Sequence, residues 1–283
     1  MLSILIPTYN YFVYPLVKEI HRQCIDSNIV FEILVYDDGS KSPLNSKNSP
    51  INTLSNCIFK ELSNNIGRSS IRNLLARSAT YESLLFIDAG TFPEKKDFIK
   101  NYINFQEEDV VNGGMKHKEY PPKKPFKLRW IYTRYRERNA LCSSNFLIKK
   151  NIFDKHPFDE SIKNYGYEDV LFFDALMENN ISIIKIDNPV IHDAADDANT
   201  FINKTEDSLA NLIVLINDCK IISSHHSLYK YYLITKKLKL EKILVFVFEK
   251  IKGTLMKNFN SNYPSLLLFD FYRLAFFCKL KKS

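Results

Sequence analysis

The sequence predicts an α/β fold: a mixed, mostly parallel sheet flanked by helices, with a helical extension at its C-terminal end. Three observations carry that prediction. Short apolar runs of strand length alternate with segments of helical period through the first half of the chain. Polar residues, mostly acids, stand where those runs stop. From Ser223 onward the chain turns basic and helical in pattern.

The elements follow in order. "LSILIPT" is an apolar strand, and Tyr14 to Ile25 carries Leu16, Val17, Ile20 and Cys24 at helical spacing. "FEILVYDDGS" is a second strand running into Asp37, Asp38 and a turn, and "NCIFKEL" reads as a third. "GRSSIRNLLARSA" is a helix with Ile71, Leu74, Leu75 and Ala79 inward, followed by the strand "SLLFID". Strands separated by helices pair in parallel through right-handed crossovers, and ligands of such sheets gather beyond the carboxyl ends of the strands. Thr8, Asp37, Asp38 and Asp88 all stand at such ends.

Lys116 to Arg138 is basic, aromatic and broken by three prolines, which reads as a long surface excursion of the kind that forms lids. A strand ("CSSNFLI"), a helix from Glu168 to Glu178, a strand ("SIIKID") and "PVIHDAADD" come next. In the tail, Leu240, Ile243, Leu244, Val247, Ile251 and Leu255 fall on one helical face, edged by Lys239, Lys242, Lys250 and Lys257. "SLLLFDFYRLAFFCKLKKS" is a second, aromatic stretch. Such helices lie in a membrane interface or pack on the body with a solvated basic face, and both readings stand. The expected division is a catalytic-looking domain, 1–217, and a basic amphipathic extension, 218–283.

Composition narrows the classes. With 283 residues, 45% hydrophobic, the chain can bury a core without staples. Its five cysteines are scattered with no CxxC pair, which excludes a zinc-like framework and suits a reducing, cytoplasmic setting. "MLSILIPTYN" does not read as a signal peptide, and no run approaches the roughly 20 apolar residues of a membrane span. Residues 223–283 hold 12 Lys/Arg against 3 Asp/Glu, while the first 222 hold 27 against 29. A near-neutral body with a basic tail points to an anionic surface partner rather than to nucleic acid, and the inner face of an anionic membrane is one such surface. No GxGxxG or P-loop is present, so dinucleotide, ATPase and nucleotidyltransferase readings lack their phosphate cradle.

Taken together, the strand-end motifs resemble those of the inverting glycosyltransferases of family 2, with their GT-A, Rossmann-like fold. "SILIPTYN" resembles the opening strand, "YDDGS" the acid pair at uracil and ribose, and "NNIGRSSIRN" the helix start beside the sugar donor. "FIDAG" stands where the family has its DxD motif, "NYGYEDVLF" where it has its ED motif, and "VIHD" where a histidine ligand follows. The match runs over roughly residues 1 to 215.

The resemblance implies transfer of a sugar from a nucleoside diphosphate, with UDP expected, to a glycan or lipid-linked acceptor in polysaccharide biosynthesis. It makes Asp169 the base that takes the acceptor proton, with Glu168 orienting the acceptor or its neighbour. Pro7, Thr8 and Tyr9 would frame the nucleotide base, Asp38 would accept a base N–H, and Asn65, Arg72 and Asp88 would hold the rest of the donor. Asp88 and His192 would hold a divalent cation, Mn2+ or Mg2+, weakly, because Gly90 replaces the last acid of DxD; Asp193 is close enough to compensate.

Each residue also has a plainer reading. Glu168 and Asp169 suit a helix start by charge alone, Asp37 suits a tight turn, and Tyr9 can pack at a strand end. Arg72 can be a solvated helix arginine and His192 a structural histidine. The alternative to an enzyme is a catalytically silent sugar-nucleotide-binding relative, which the degenerate Asp88-Ala89-Gly90 favours and the retained Asp38, Glu168, Asp169 and His192 oppose.

Overall fold

The computed structural model describes residues 1–137, 140–163, 165–192, 196–221 and 227–282. The chain divides into two compact units, the first made of residues 1–117, 138–163 and 168–194. The second collects 118–137, 164–167 and 195–283. The C-terminal part of the second unit thus begins before residue 218, and it includes most of the proline-broken excursion.

The first unit opens with β1 (Leu2–Thr8), α1 (Tyr14–Asp26), β2 (Phe31–Asp37), α2 (Leu44–Asn48), β3 (Cys57–Glu61), α3 (Arg68–Ser78) and β4 (Ser83–Ile87). Then come β5 (Thr91–Pro93), α4 (Phe98–Ile103), β6 (Val110–Asn112) and β7 (Met115–Lys116). After α5 (Lys127–Arg136) of the second unit, the chain returns with β8 (Asn145–Lys149), α6 (Lys150–Lys155), α7 (Glu168–Glu178), β9 (Ile183–Lys185) and β10 (Val190–His192).

Seven strands form one sheet in the order β3-β2-β1-β4-β8-β6-β9. β3, β2, β1 and β4 run parallel, as strand–helix alternation requires, and β6 and β9 are parallel as well. β8 is antiparallel to both β4 and β6. The sheet is thus mixed and mostly parallel, as the sequence predicts, and its antiparallel strand follows a long departure of the chain rather than a single crossover helix.

Alternation explains why the sheet is buried on both faces. Ile4, Ile6, Ile33, Val35, Leu85 and Ile87 share one core with α1 and α4, through Leu16, Val17, Ile20, Phe98 and Tyr102. Their neighbours Leu5, Leu34, Leu84 and Phe86 meet Ile71, Leu75, Phe153, Phe172 and Phe173 on the other face. β1, β2 and β4 read as continuous apolar runs because neither face meets water.

A second, small sheet escaped the sequence reading: β5-β10-β7, with β10 antiparallel to β5 and parallel to β7. Buried amides build its frame. Asn145 donates to the carbonyls of Gly114 (2.8 Å) and Asn188 (2.9 Å) and accepts from the Tyr102 hydroxyl at 2.7 Å. A side chain at Gly113 would collide with these same groups, the nearest at 2.3 Å.

The second unit holds α5 and four further helices: α8 (Ala198–Asn217), α9 (Ser227–Lys237), α10 (Glu241–Phe259) and α11 (Leu266–Lys282). α8 is capped by Asp197, whose carboxylate accepts the Thr200 N–H at 2.7 Å. Phe201, Phe248, Phe259, Phe269 and Tyr272 make the core with Leu128 of α5. The excursion after Lys116 is thus in large part a packed helix, not an open loop. The tail face is split as well: Leu255 is buried and Leu244 and Ile251 pack on this core, whereas Leu240, Ile243 and Val247 are exposed. Phe248 and Phe259 replace them inside, because large rings fill the groove against α11 that aliphatic residues would leave open. Among the described residues no helix is long and apolar enough to cross a membrane.

Candidate active site

The carboxyl ends of β1, β2 and β4 present Thr8, Asp37, Asp38 and Asp88, as the parallel order dictates. Asp37 serves the turn: its oxygens accept the Ser40 N–H (2.8 Å), the Ser40 hydroxyl (2.7 Å) and the Asn45 amide (3.2 Å). Asp38 is tied to β1 by its N–H on the Thr8 carbonyl at 2.9 Å. Its carboxylate accepts the N–H groups of Ile66 (2.7 Å) and Gly67 (3.1 Å), fixing the loop that opens α3.

That loop lies hard against the β2 turn. A Cβ at Gly39, whose φ is +66°, would sit 2.3 Å from the Asn64 carbonyl carbon and 2.6 Å from the Asn65 nitrogen. Asn65 itself is exposed, on the rim of a groove of about 570 Å³ shared with Gly67, Ser70, Glu160 and Lys163. Pro7 is half-buried, and Tyr9 is 57% exposed, so it is not a core residue. The Thr8 hydroxyl is buried with no hydrogen-bond partner among the described residues.

Two arginines one turn apart on α3 organise the acids. Arg72 is buried, and its guanidinium meets Asp88 at 2.6 Å, bonds the Arg68 carbonyl at 3.2 Å and lies over the Phe158 ring at 5.5 Å. It therefore holds Asp88 and is not the solvated helix arginine of the plainer reading. Arg68, which the sequence reading passed over, is half exposed and meets Glu168 at 2.7 Å. The spacing Arg68–Arg72 was the signal: residues four apart on a helix share a face.

Glu168 and Asp169 open α7, placed by Phe172 and Phe173 in the aromatic cluster, where Phe158 and Phe172 stack at 4.1 Å. Glu168 is buried, and its second oxygen has no partner among the described residues. Asp169 accepts the Val170 N–H at 2.9 Å. Burial, and next the neighbouring Glu168 charge, push the Asp169 carboxyl up to about 6, against the pull of Val170, Arg72 and Arg68. Asp88 moves the other way. Burial opposes its charge, but Arg72, Arg68 and His192 outweigh that and hold its carboxyl below the usual carboxylate range.

β10 explains how His192 comes into play. It pairs with β5 so that His192 lies opposite Thr91, whose N–H and hydroxyl both bond the Asp88 carbonyl (3.1 and 2.7 Å). The short sheet thus pairs two residues 101 positions apart in sequence. The Asp88 N–H in turn bonds the Ser144 carbonyl at 3.0 Å, fixing the turn from β8. Asp193 lies outside the described residues.

The donor set does not fit a self-sufficient site for a hard cation. One Asp88 oxygen is committed to Arg72, Gly90 brings no donor, and His192 adds a single nitrogen, whereas such ions take six or more oxygens. Among the described residues no group of three or more His, Cys, Asp or Glu side chains is placed to hold a metal.

In sequence, residues 3–159 match the profile of Glycosyl transferase family 2, more than half of the chain. The chain belongs to that family. No curated protein matches this family 2 chain in sequence. In structure it is similar to S. aureus TarS (23% identity, TM-score 0.51), covering 72% of this chain and 38% of TarS. It is also similar to TarS 1-349 in complex with UDP-GlcNAc (21%, TM-score 0.51), covering 75% of this chain and 66% of that one. A third likeness is to the mannosyltransferase PcManGT of Pyrobaculum calidifontis in complex with GDP-Man and Mn2+ (16%, TM-score 0.52; 76% and 64% covered). The chain therefore spans less than two thirds of each of these neighbours. What is shared at these identities is the GT-A fold: the mixed, mostly parallel sheet with helices on both faces.

Proposed function

We propose that this family 2 chain transfers a sugar from a nucleoside-diphosphate donor, UDP-linked in the first instance, to a hydroxyl of a glycan or lipid-linked acceptor, with inversion. The observation that carries the reading is Asp169. A carboxylate poised at about 6, beside a glutamate paired with Arg68, is matched to taking a hydroxyl proton near neutral pH. Glu168, held by Arg68, orients its neighbour rather than taking the proton. Thr8, Asp38 and Asn65 gather at one end of the strands, where a nucleoside fits, with Pro7 and the exposed ring of Tyr9 beside them. Asp88, kept ionised by Arg72, suits ribose hydroxyls at the other side of that end. The TarS fragment is known in complex with UDP-GlcNAc and with UDP, and PcManGT in complex with GDP-Man; a hexosyl or N-acetylhexosaminyl donor is the class we assign here. A divalent cation belongs to this reading only as a weakly held partner of the donor. A cytoplasmic setting, in polysaccharide synthesis, completes the proposal.

The test is a panel of UDP- and GDP-sugars assayed for thermal shift and for slow hydrolysis, with and without manganese, because a ligand of the native state raises its stability by mass action. A shift with hydrolysis that Asp169→Asn abolishes supports the transferase. The silent sugar-nucleotide-binding reading is favoured by Gly90 and by the Asp38 carboxylate already accepting two backbone N–H groups. It predicts the shift without hydrolysis in the native chain.

A further inference from the structure

α9 and α10 each have a face that the fold uses and a face that it leaves open. Inward, Tyr229 and Tyr232 of α9 pack on Phe277 of α11, and Phe248 of α10 packs on Tyr272. Outward, Tyr231, Ile234 and Leu238 succeed one another along α9 and its end, all exposed by half or more. On α10, Ile243 and Phe246 are about 60% exposed, with Val247 beside them. Singly such residues need no explanation, but a run of them across one helix–helix turn is a patch that water does not favour.

The charge around that patch has one sign. Lys236, Lys237, Lys239 and Lys242 are all exposed, and among the described residues none of the four makes an ion pair. Glu241 is the only acid between Ser227 and Phe248. The turn itself is closed by the Leu240 N–H on the Thr235 carbonyl (3.0 Å) and the Lys239 N–H on the Lys236 carbonyl (3.0 Å), with Lys239 at φ +57°. Glycine fits that left-handed position without steric cost. Here the position carries a lysine between two exposed leucines, Leu238 and Leu240, so the tip of the turn alternates apolar and cationic groups.

We propose that this α9–α10 elbow is a docking surface for an anionic lipid bilayer. The apolar side chains enter the headgroup region, and the ring of lysines meets lipid phosphates and carboxylates. Charge complementarity selects the occupant: a cationic rim around aliphatic and aromatic tips matches a lipid interface, whose surface is anionic and whose interior is apolar. A nucleic acid would leave the leucine and isoleucine tips unburied. With no membrane-spanning helix among the described residues, the contact is peripheral. It is independent of the transferase reading, because no residue of the elbow belongs to the candidate active site.

The experiment is co-sedimentation of the full chain with vesicles of phosphatidylcholine alone and of phosphatidylcholine mixed with phosphatidylglycerol. The native chain should bind the mixed vesicles, release as salt shortens the Debye length below about 10 Å, and ignore the neutral ones. Replacing the four lysines together by glutamine should weaken binding at least about 100-fold, each contributing roughly fivefold near an anionic surface. Ile243→Ser with Phe246→Ser should weaken it too, at unchanged melting temperature and unchanged sugar-nucleotide shift, since both side chains are exposed. Failure of the native chain to bind anionic vesicles at low salt overturns the proposal. So does binding that survives both sets of substitutions, which would place the contact elsewhere, or a patch that instead pairs two copies of the chain.

Discussion

The end of β4 and the start of α7 each put a carboxylate within reach of the same two arginines, yet the two acids are held in opposite states. Asp88 has a guanidinium to itself, 2.6 Å away, and is drawn below the usual carboxylate range despite burial. Asp169 sits beside a second acid that has taken Arg68, so burial and like charge win and it rises to about 6. Burial alone sets neither outcome. What decides is whether the nearby cation is already satisfied.

Substitution at Asp169 should have the largest effect. Asp169→Asn keeps the shape and removes the proposed proton acceptor, so transfer should fall by about 10²–10⁴-fold while the sugar-nucleotide thermal shift stays. In the native chain kcat/KM should rise with pH to a plateau, with a midpoint near the Asp169 value of about 6, and this limb should vanish in the variant. Near-normal transfer by Asp169→Asn would remove the base assignment.

On the Asp88 side the expected loss is one of stability. Arg72→Leu strips a largely buried acid of its partner and should cost about 3 kcal/mol in urea unfolding. Arg72→Leu combined with Asp88→Leu should cost clearly less than the sum of the two single changes, and strict additivity would mean that the pair is not coupled. Because the folded Asp88 carboxyl is depressed, the stability from this pair is present at neutral pH and is lost as pH falls through its folded value.

A smaller effect sharpens the contrast, and its sign is opposite. Asp169 is raised in the folded chain, so ionising it opposes folding, and native stability is lost as pH rises from about 4 through about 6. Asp169→Asn should therefore raise the melting temperature more at pH 7 than at pH 4. An equal shift at both would show that Asp169 is not perturbed.

The smallest expected effect concerns the position two residues beyond Asp88. Gly90→Asp supplies the acid that the strand end lacks, and calorimetric titration should show manganese with UDP binding more tightly than in the native chain. No change would mean that Arg72 leaves Asp88 no oxygen to share.

Sequence alone marks the strand ends. Apolar runs stopping at Thr8, Asp38 and Asp88 mark the carboxyl edge of a parallel sheet, because a strand covered on both faces must be apolar until it leaves the core. It also placed the start of α7 at Glu168, where acids meet a helix terminus. Other features were decided only by tertiary structure, because they depend on pairings between distant residues. β8 pairs antiparallel with β4, and β10 sets His192 beside Thr91, through a frame of buried amides with no periodic signature. Arg72 looks in the sequence like any helix arginine and becomes the buried partner of Asp88 only because Phe158 and Phe172 close over that side of the sheet. In the tail, helical period fixed which residues share a face but not which face is buried. The rings of Phe248, Phe259 and Tyr272 chose that, since large aromatic surfaces bury most when packed on one another, and Leu240, Ile243, Val247 and the lysines were left to the solvent side.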